Sequence, residues 1–199
     1  MKHFVAGLPF LAAAALTGLA VPSELGAGPL DQWEVSCGAD KGAVTRQSGP
    51  WMFRTSSNHC PGGVFKQRAE IESGQISASH KGAYLFRANI AVRTNSTENF
   101  DIFQIHDGRI GCAPPLKVTV LGTGQKLEVL IRFDGTGAFD TVVILDNIPQ
   151  ISGRYEPGSQ PQAFRPTNYY FKHGVYSRRV FDYVMTSRDM TVSRVRVAD

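Results

Sequence analysis

"NYYFKHGVYSRR", residues 168–179, sets three tyrosines, a lysine, a histidine and two arginines around one glycine. Read as an extended chain, it places Tyr170, Lys172, Gly174 and Tyr176 on one side. Phe171, His173 and Val175 fall on the other. A face meant only for water is served as well by Thr, Ser and Glu. Whether a strand that spends a whole face on phenols and an amine turns it to water or to a ligand depends on the rest of the chain, and first on whether that chain builds sheets.

It does. "WEVSC" (33–37), "WMFRT" (51–55), "VFKQRAEIE" (64–72), "YLFRANIAVRT" (84–94), "FDIFQIH" (100–106), "LKVTVLG" (116–122), "KLEVLIRF" (126–133), "FDTVVILD" (139–146) and "MTVSRVRVA" (190–198) are rich in Val, Ile, Phe and Thr. Most of them alternate, as half-buried strands do. In "KLEVLIRF", Leu127, Val129, Ile131 and Phe133 share one face, and Glu128 and Arg132 the other. Turn-forming clusters such as "SSNHCPGG", "HDGRIGCAPP" and "DGTG" separate the runs. Residues 154–167, with three prolines, read as a long loop. No segment beyond the first residues keeps a helical period. The expectation is an all-β domain, a β-sandwich of the jelly-roll kind with one curved, groove-forming sheet.

Lys2 and His3 precede the apolar run "FVAGLPFLAAAALTGLA", and small residues follow, so residues 1–20 read as a signal peptide and 21–199 as a single domain. The run is short and lacks stop-transfer charges, which argues against a membrane anchor. Export implies an oxidising compartment and a secreted, extracellular protein. The three cysteines, Cys37, Cys60 and Cys112, allow one disulfide and leave one thiol over. None has C-x-x-C spacing, so a zinc site made of cysteines is not expected, and no metal cluster is visible in the sequence. Asn95 heads a glycosylation sequon. The net charge is +4, and seven Lys or Arg follow residue 164. That balance favours an acidic partner. A nucleic acid is disfavoured, because the aromatics lie in apolar strand faces and are not interleaved with a basic run.

Two further strands share the pattern of the opening one. In 64–73, Lys66, Arg68, Glu70 and Glu72 oppose Phe65, Gln67, Ala69 and Ile71. In 100–109, Gln104 and His106 oppose Phe103 and Ile105. The sequences Arg68-Ala-Glu70-Ile-Glu72, Gln104-Ile-His106 and Tyr170-Phe-Lys172-His-Gly174-Val-Tyr176 together resemble the three motif strands of polysaccharide lyases of the alginate lyase type, family 7 and its jelly-roll relatives, including glucuronan lyases. Two positions depart from that pattern: Glu72 stands where the family has a second arginine, and "SRR" follows the last tyrosine.

The resemblance implies β-elimination at uronate residues of an acidic polysaccharide such as alginate or glucuronan, by a monomer without cofactor. It implies Arg68, Gln104, His106 and Tyr176 as catalytic residues and Lys66, Glu70, Tyr170, Lys172 and Arg178 as substrate-binding residues. The chemistry suits those residue types. Removing a proton beside a carboxylate adds charge to an anion, so the carboxylate must first be neutralised, by the planar donors of Arg68 and the amide of Gln104. His106 is a candidate base or further donor, and Tyr176 can protonate the leaving oxygen. Glu70 would orient Arg68, and Lys172 would favour a phenolate at Tyr176. The alternative is a non-catalytic, lectin-like jelly roll that binds acidic glycans. The resemblance also suggests that the Arg68 strand and the Gln104–His106 strand are neighbours. That register brings Cys60 almost opposite Cys112, so a Cys60–Cys112 bridge is expected, with Cys37 as a buried thiol. Cys37–Cys60 is the competing pair.

Overall fold

The computed structural model describes residues 22–46, 48–61, 67–107, 114–120, 124–158 and 166–196. In chain order the strands are β1 (Pro22–Gly26), β2 (Trp33–Val35), β3 (Val44–Arg46), β4 (Trp51–Arg54), β5 (Gln67–Ser73), β6 (Ile76–Ser77), β7 (Lys81–Thr94), β8 (Phe100–His106), β9 (Leu116–Val120), β10 (Gln125–Asp134), β11 (Phe139–Leu145), β12 (Ile148–Tyr155), β13 (Asn168–Ser177) and β14 (Tyr183–Val195). All pairings among them are antiparallel. The larger sheet runs β12-β11-β10-β7-β14-β4-β3, with β1 alongside β14. The smaller runs β2-β5-β13-β8-β9, with β6 beside the start of β13. This is the two-sheet β-sandwich that alternation along the chain predicts.

The core lies between the sheets. Leu127, Val129, Ile131 and Phe133 of β10 point inward and are at most 1% exposed, as their spacing requires. From the smaller sheet, Ala69, Ile71, Phe103, Ile105, Phe171 and Val175 meet them. Aromatic rings tie the layers together: Phe86 of β7 lies 4.6 Å from Phe103, and Phe133 of β10 lies 5.4 Å from Tyr169 of β13. His173 sits in the same layer, fully buried, with Phe53 and Phe86 against its ring. Its Nδ1 pairs with the Ile102 carbonyl at 2.8 Å and its Nε2 with Ser187 Oγ at 2.9 Å. Both ring nitrogens are thus satisfied, and burial pulls its pKa down to about 4.

Three sequence expectations are corrected. First, β5 and β8 are not neighbours, because β13 lies between them and pairs with both. Second, the disulfide joins Cys37 to Cys60, not Cys60 to Cys112. The pairing follows from the strands: β2 lies beside β5, so the chain just past β2 runs along the segment that leads into β5. Cys37 is therefore a bridge partner, not a spare thiol, and Cys112 lies outside the described residues. Third, the loop expected from residue 154 begins later, since β12 reaches Tyr155. Asp146 and Asn147, at φ 50° and 66°, form the two-residue turn of the β11–β12 hairpin. β12 is an edge strand whose residues are almost all exposed, and its register with β11 shifts at Gln150, between Pro149 and Ile151. Without a buried face it carries no alternation to read. The candidate signal peptide, residues 1–20, and Lys66 also lie outside the described residues.

Candidate active site

The side of the smaller sheet that faces away from the core carries the polar residues of three adjacent strands. Strand pairing fixes their order. Tyr176 of β13 stands opposite Arg68 of β5, Gly174 opposite Glu70, and Lys172 opposite both Glu72 of β5 and Gln104 of β8. Tyr170 stands opposite His106. The central position of β13 is what assembles the site. Each motif strand alternates, so all three contribute their polar face to one surface.

Gly174 makes this packing possible. Its φ is +140°, and a Cβ there would lie 2.3 Å from the Ala69 carbonyl oxygen and 2.7 Å from the Glu70 Cα. Any side chain would push β13 off β5. Between His173 and Tyr176 the register with β8 shifts by one residue, so that Tyr176 meets Asp101. Such a bulge re-aims the side chain that follows it.

At the Tyr176 end, the Arg68 guanidinium lies over the Tyr176 ring, 4.4 Å from its centroid. Arg68 Nε lies 3.2 Å from Glu70 Oε2, close enough for an ion pair but without hydrogen-bond alignment. Arg68 Nη1 donates to the Cys60 sulfur of the disulfide. Gln104 Nε2 donates to the other Glu70 oxygen at 3.1 Å. Glu70 is 1% exposed. Burial raises its pKa, opposed by the charges of Lys172 and Arg68.

Toward the other end, Lys172 is 4% exposed, and its ammonium lies 3.0 Å from Ser36 Oγ and 3.3 Å from Glu72 Oε2. Ser36 donates to Glu72 at 2.8 Å. Burial lowers the Lys172 pKa, and Glu70 and Glu72 counter it. His106 stacks on Tyr170 with centroids 5.0 Å apart. Burial, then the charges of Lys172, Arg68 and Lys117, pull the His106 pKa down to about 3, so its imidazole is neutral at pH 7. Burial raises the Tyr170 phenol.

Of the sequence candidates, Arg68, Glu70, Gln104, His106, Tyr170, Lys172 and Tyr176 thus share one face. Arg178 is exposed in the turn after β13. Three side chains escaped the sequence reading, and the Cys60 bridge was expected with another partner. Lys117 of β9, opposite Gln104, lies 3.0 Å from Asp101 and 5.4 Å from the centroid of Tyr176. Asp101 also accepts from Thr119 at 2.8 Å. Ser36 is the third. The alternation of "LKVTV", which puts Lys117 and Thr119 together, was the available signal for β9. Nothing local in the sequence marks a disulfide as an arginine's support.

No family model matches this chain, and no curated protein matches its sequence. Solved structures do match its fold. An alginate lyase of polysaccharide lyase family 7 superposes with a TM-score of 0.57 at 11% identity, covering 84% of this chain and 96% of that one. An alginate lyase from Pseudomonas aeruginosa gives 0.55 at 14% identity, over 83% and 99%. One from Corynebacterium sp. gives 0.54 at 13%, over 83% and 95%. The chain has the fold of the alginate lyases, and at these identities the likeness is one of fold.

Proposed function

We propose that this protein is a secreted polysaccharide lyase that cleaves an acidic, uronate-containing polysaccharide by β-elimination. One observation carries the reading. Arg68, Gln104, Glu70 and Tyr176, with His106 beyond them, share a single face of a fold that solved alginate lyases also have. Export through residues 1–20 rests on the sequence and is compatible with the disulfide.

In this reading the uronate carboxylate binds between Arg68 and Gln104, in competition with Glu70. Two carboxylates sharing one buried site favour retention of a proton by one of them, which further reduces the charge at the substrate. With the carboxylate neutralised, the C5–H bond breaks and its proton passes to the base. The electron pair forms the C4=C5 double bond, the C4–O bond breaks, and the leaving oxygen takes a proton from the acid. His106 and Tyr176 flank the Arg68–Gln104 position from the two ends of the face. His106 is neutral and has a lone pair for the C5 proton. An incoming carboxylate offsets the cations that depress its basicity. Tyr176, held beneath the Arg68 guanidinium, protonates the glycosidic oxygen.

The decisive experiment incubates the protein with uronate polymers and follows ultraviolet absorbance of the new conjugated double bond. Tyr176→Phe keeps the ring and its packing and should reduce turnover by about 10²- to 10⁴-fold, the usual contribution of a general acid. It should leave glycan affinity within about twofold, a change of under ~0.5 kcal/mol. Full turnover by the Phe variant removes Tyr176 from the mechanism. Binding without any unsaturated product favours the lectin-like alternative.

A further inference from the structure

Among the described residues, the cations of the strands forming this face are matched by carboxylates of the same face. Arg68 lies 3.2 Å from Glu70, Lys172 3.3 Å from Glu72, and Lys117 3.0 Å from Asp101. Two more carboxylates border it: Glu34, directly opposite Glu72 in the β2–β5 pairing, and Asp107, just past His106. Arg178 lies beyond the Tyr176 end. Lys172 is held inward by Ser36 and Glu72. Like charges directly opposite across paired strands repel, so the Glu34–Glu72 side is a poor place for a further anion.

In a polyuronate every sugar carries a carboxylate. A face built for one offers an unmatched cation or neutral donor at each successive position. Among the described residues, one position of this face joins a cation to a neutral amide donor, Arg68 with Gln104, where both meet the single carboxylate of Glu70 that an incoming uronate would displace; ion pairs without an amide donor flank it. A closed pair presents donor and acceptor side by side, which suits hydroxyls and amides better than a second anion. We propose that the substrate is a polymer in which a uronate alternates with a neutral or N-acetylated sugar, one carboxylate to every two residues. This rests on the lyase reading and narrows its substrate. The bond changes are those already given, with the neutral sugar as the leaving group on C4.

The test compares hyaluronan and unsulfated chondroitin, which alternate in this way, with glucuronan and alginate, which do not. The readout is initial formation of the unsaturated product. The expected kcat/KM is at least about tenfold higher on an alternating polymer than on either homopolymer. Equal or higher values on a homopolymer overturn the inference. Glu72→Gln removes one carboxylate and should shift the ratio of homopolymer to alternating-polymer kcat/KM upward by about tenfold. If that variant does not fold, Glu34→Gln, at an exposed site, should move the ratio in the same direction. An unmoved ratio in a folded variant also overturns the inference. Absence of unsaturated product from all four polymers defeats the lyase reading itself. The substrate inference is then decided by affinity, with tighter binding of glucuronan than of hyaluronan counting against it.

Discussion

At Gly174 the requirement is steric. The Cβ of Gly174→Ala would sit 2.3 Å from a β5 carbonyl oxygen in a backbone conformation L-residues rarely adopt. Strain and overpacking together should cost about 3 kcal/mol or more, seen as a lower denaturant midpoint. Turnover should fall as well, because relief moves β13 away from Arg68 and Glu70. His173, one residue earlier, makes a prediction about acid. Its folded pKa of about 4 lies below the ordinary imidazole value of about 6.5, so the native state holds it neutral. The stabilisation this represents is complete above about pH 6.5 and declines as pH falls toward 4. It amounts to roughly 3 kcal/mol at most. Urea unfolding measured across that range should show the loss, and His173→Gln should flatten the slope. An unchanged slope in the variant would assign the acid sensitivity to other groups. Both residues stand in the opening stretch. Alternation alone assigned His173 to the core side, but its two hydrogen-bond partners come from β8 and β14 and have no trace in the local sequence.

At the scale of elements, the 56–61 segment supports the site through the disulfide. Gly38, at φ +82°, leaves room for that segment, since a Cβ there would lie 2.4 Å from the Cys60 nitrogen. Asp40 pins it further, accepting from the Ser57 amide at 2.7 Å. The bridge then forms the surface on which the Arg68 guanidinium rests. Replacing Cys37 and Cys60 together by alanine should lower stability by about 3 kcal/mol, by the chain-entropy estimate for a loop of this size. It should also lower kcat about 10- to 100-fold at a temperature where the variant is folded, the scale of a misplaced catalytic group. A folded variant with wild-type kcat would show that the bridge only staples the loop. A register that sets Cys60 opposite Cys112 needs β8 beside β5, and β13 holds that place. β13 presents the same alternation as β8 and comes later in the chain, and it takes the central position.

At the scale of the whole molecule, the net charge of +4 should draw an acidic polymer toward the protein over distances beyond any single contact. Raising ionic strength from about 0.01 to 0.15 M shortens the screening length from roughly 30 to 8 Å. It should lower kcat/KM on the best polymer several-fold while leaving kcat within about twofold, because steering acts on encounter and not on the bound complex. A fall in kcat of the same size would place the salt effect in the site. The amino-acid sequence by itself determined the class of fold, which side of each central strand faces the core, and the residue types on the polar side. Those properties follow from period-two alternation, which every strand carries within itself. The tertiary structure alone decided that β13 separates β5 from β8, that Cys37 is the partner of Cys60, that Lys117 and Asp101 join the face, and that each of its described cations meets a carboxylate. Any two strands with matching faces can pair locally. Which pair forms depends on how the whole set closes over one core, and that choice is made by contacts between residues far apart in the chain.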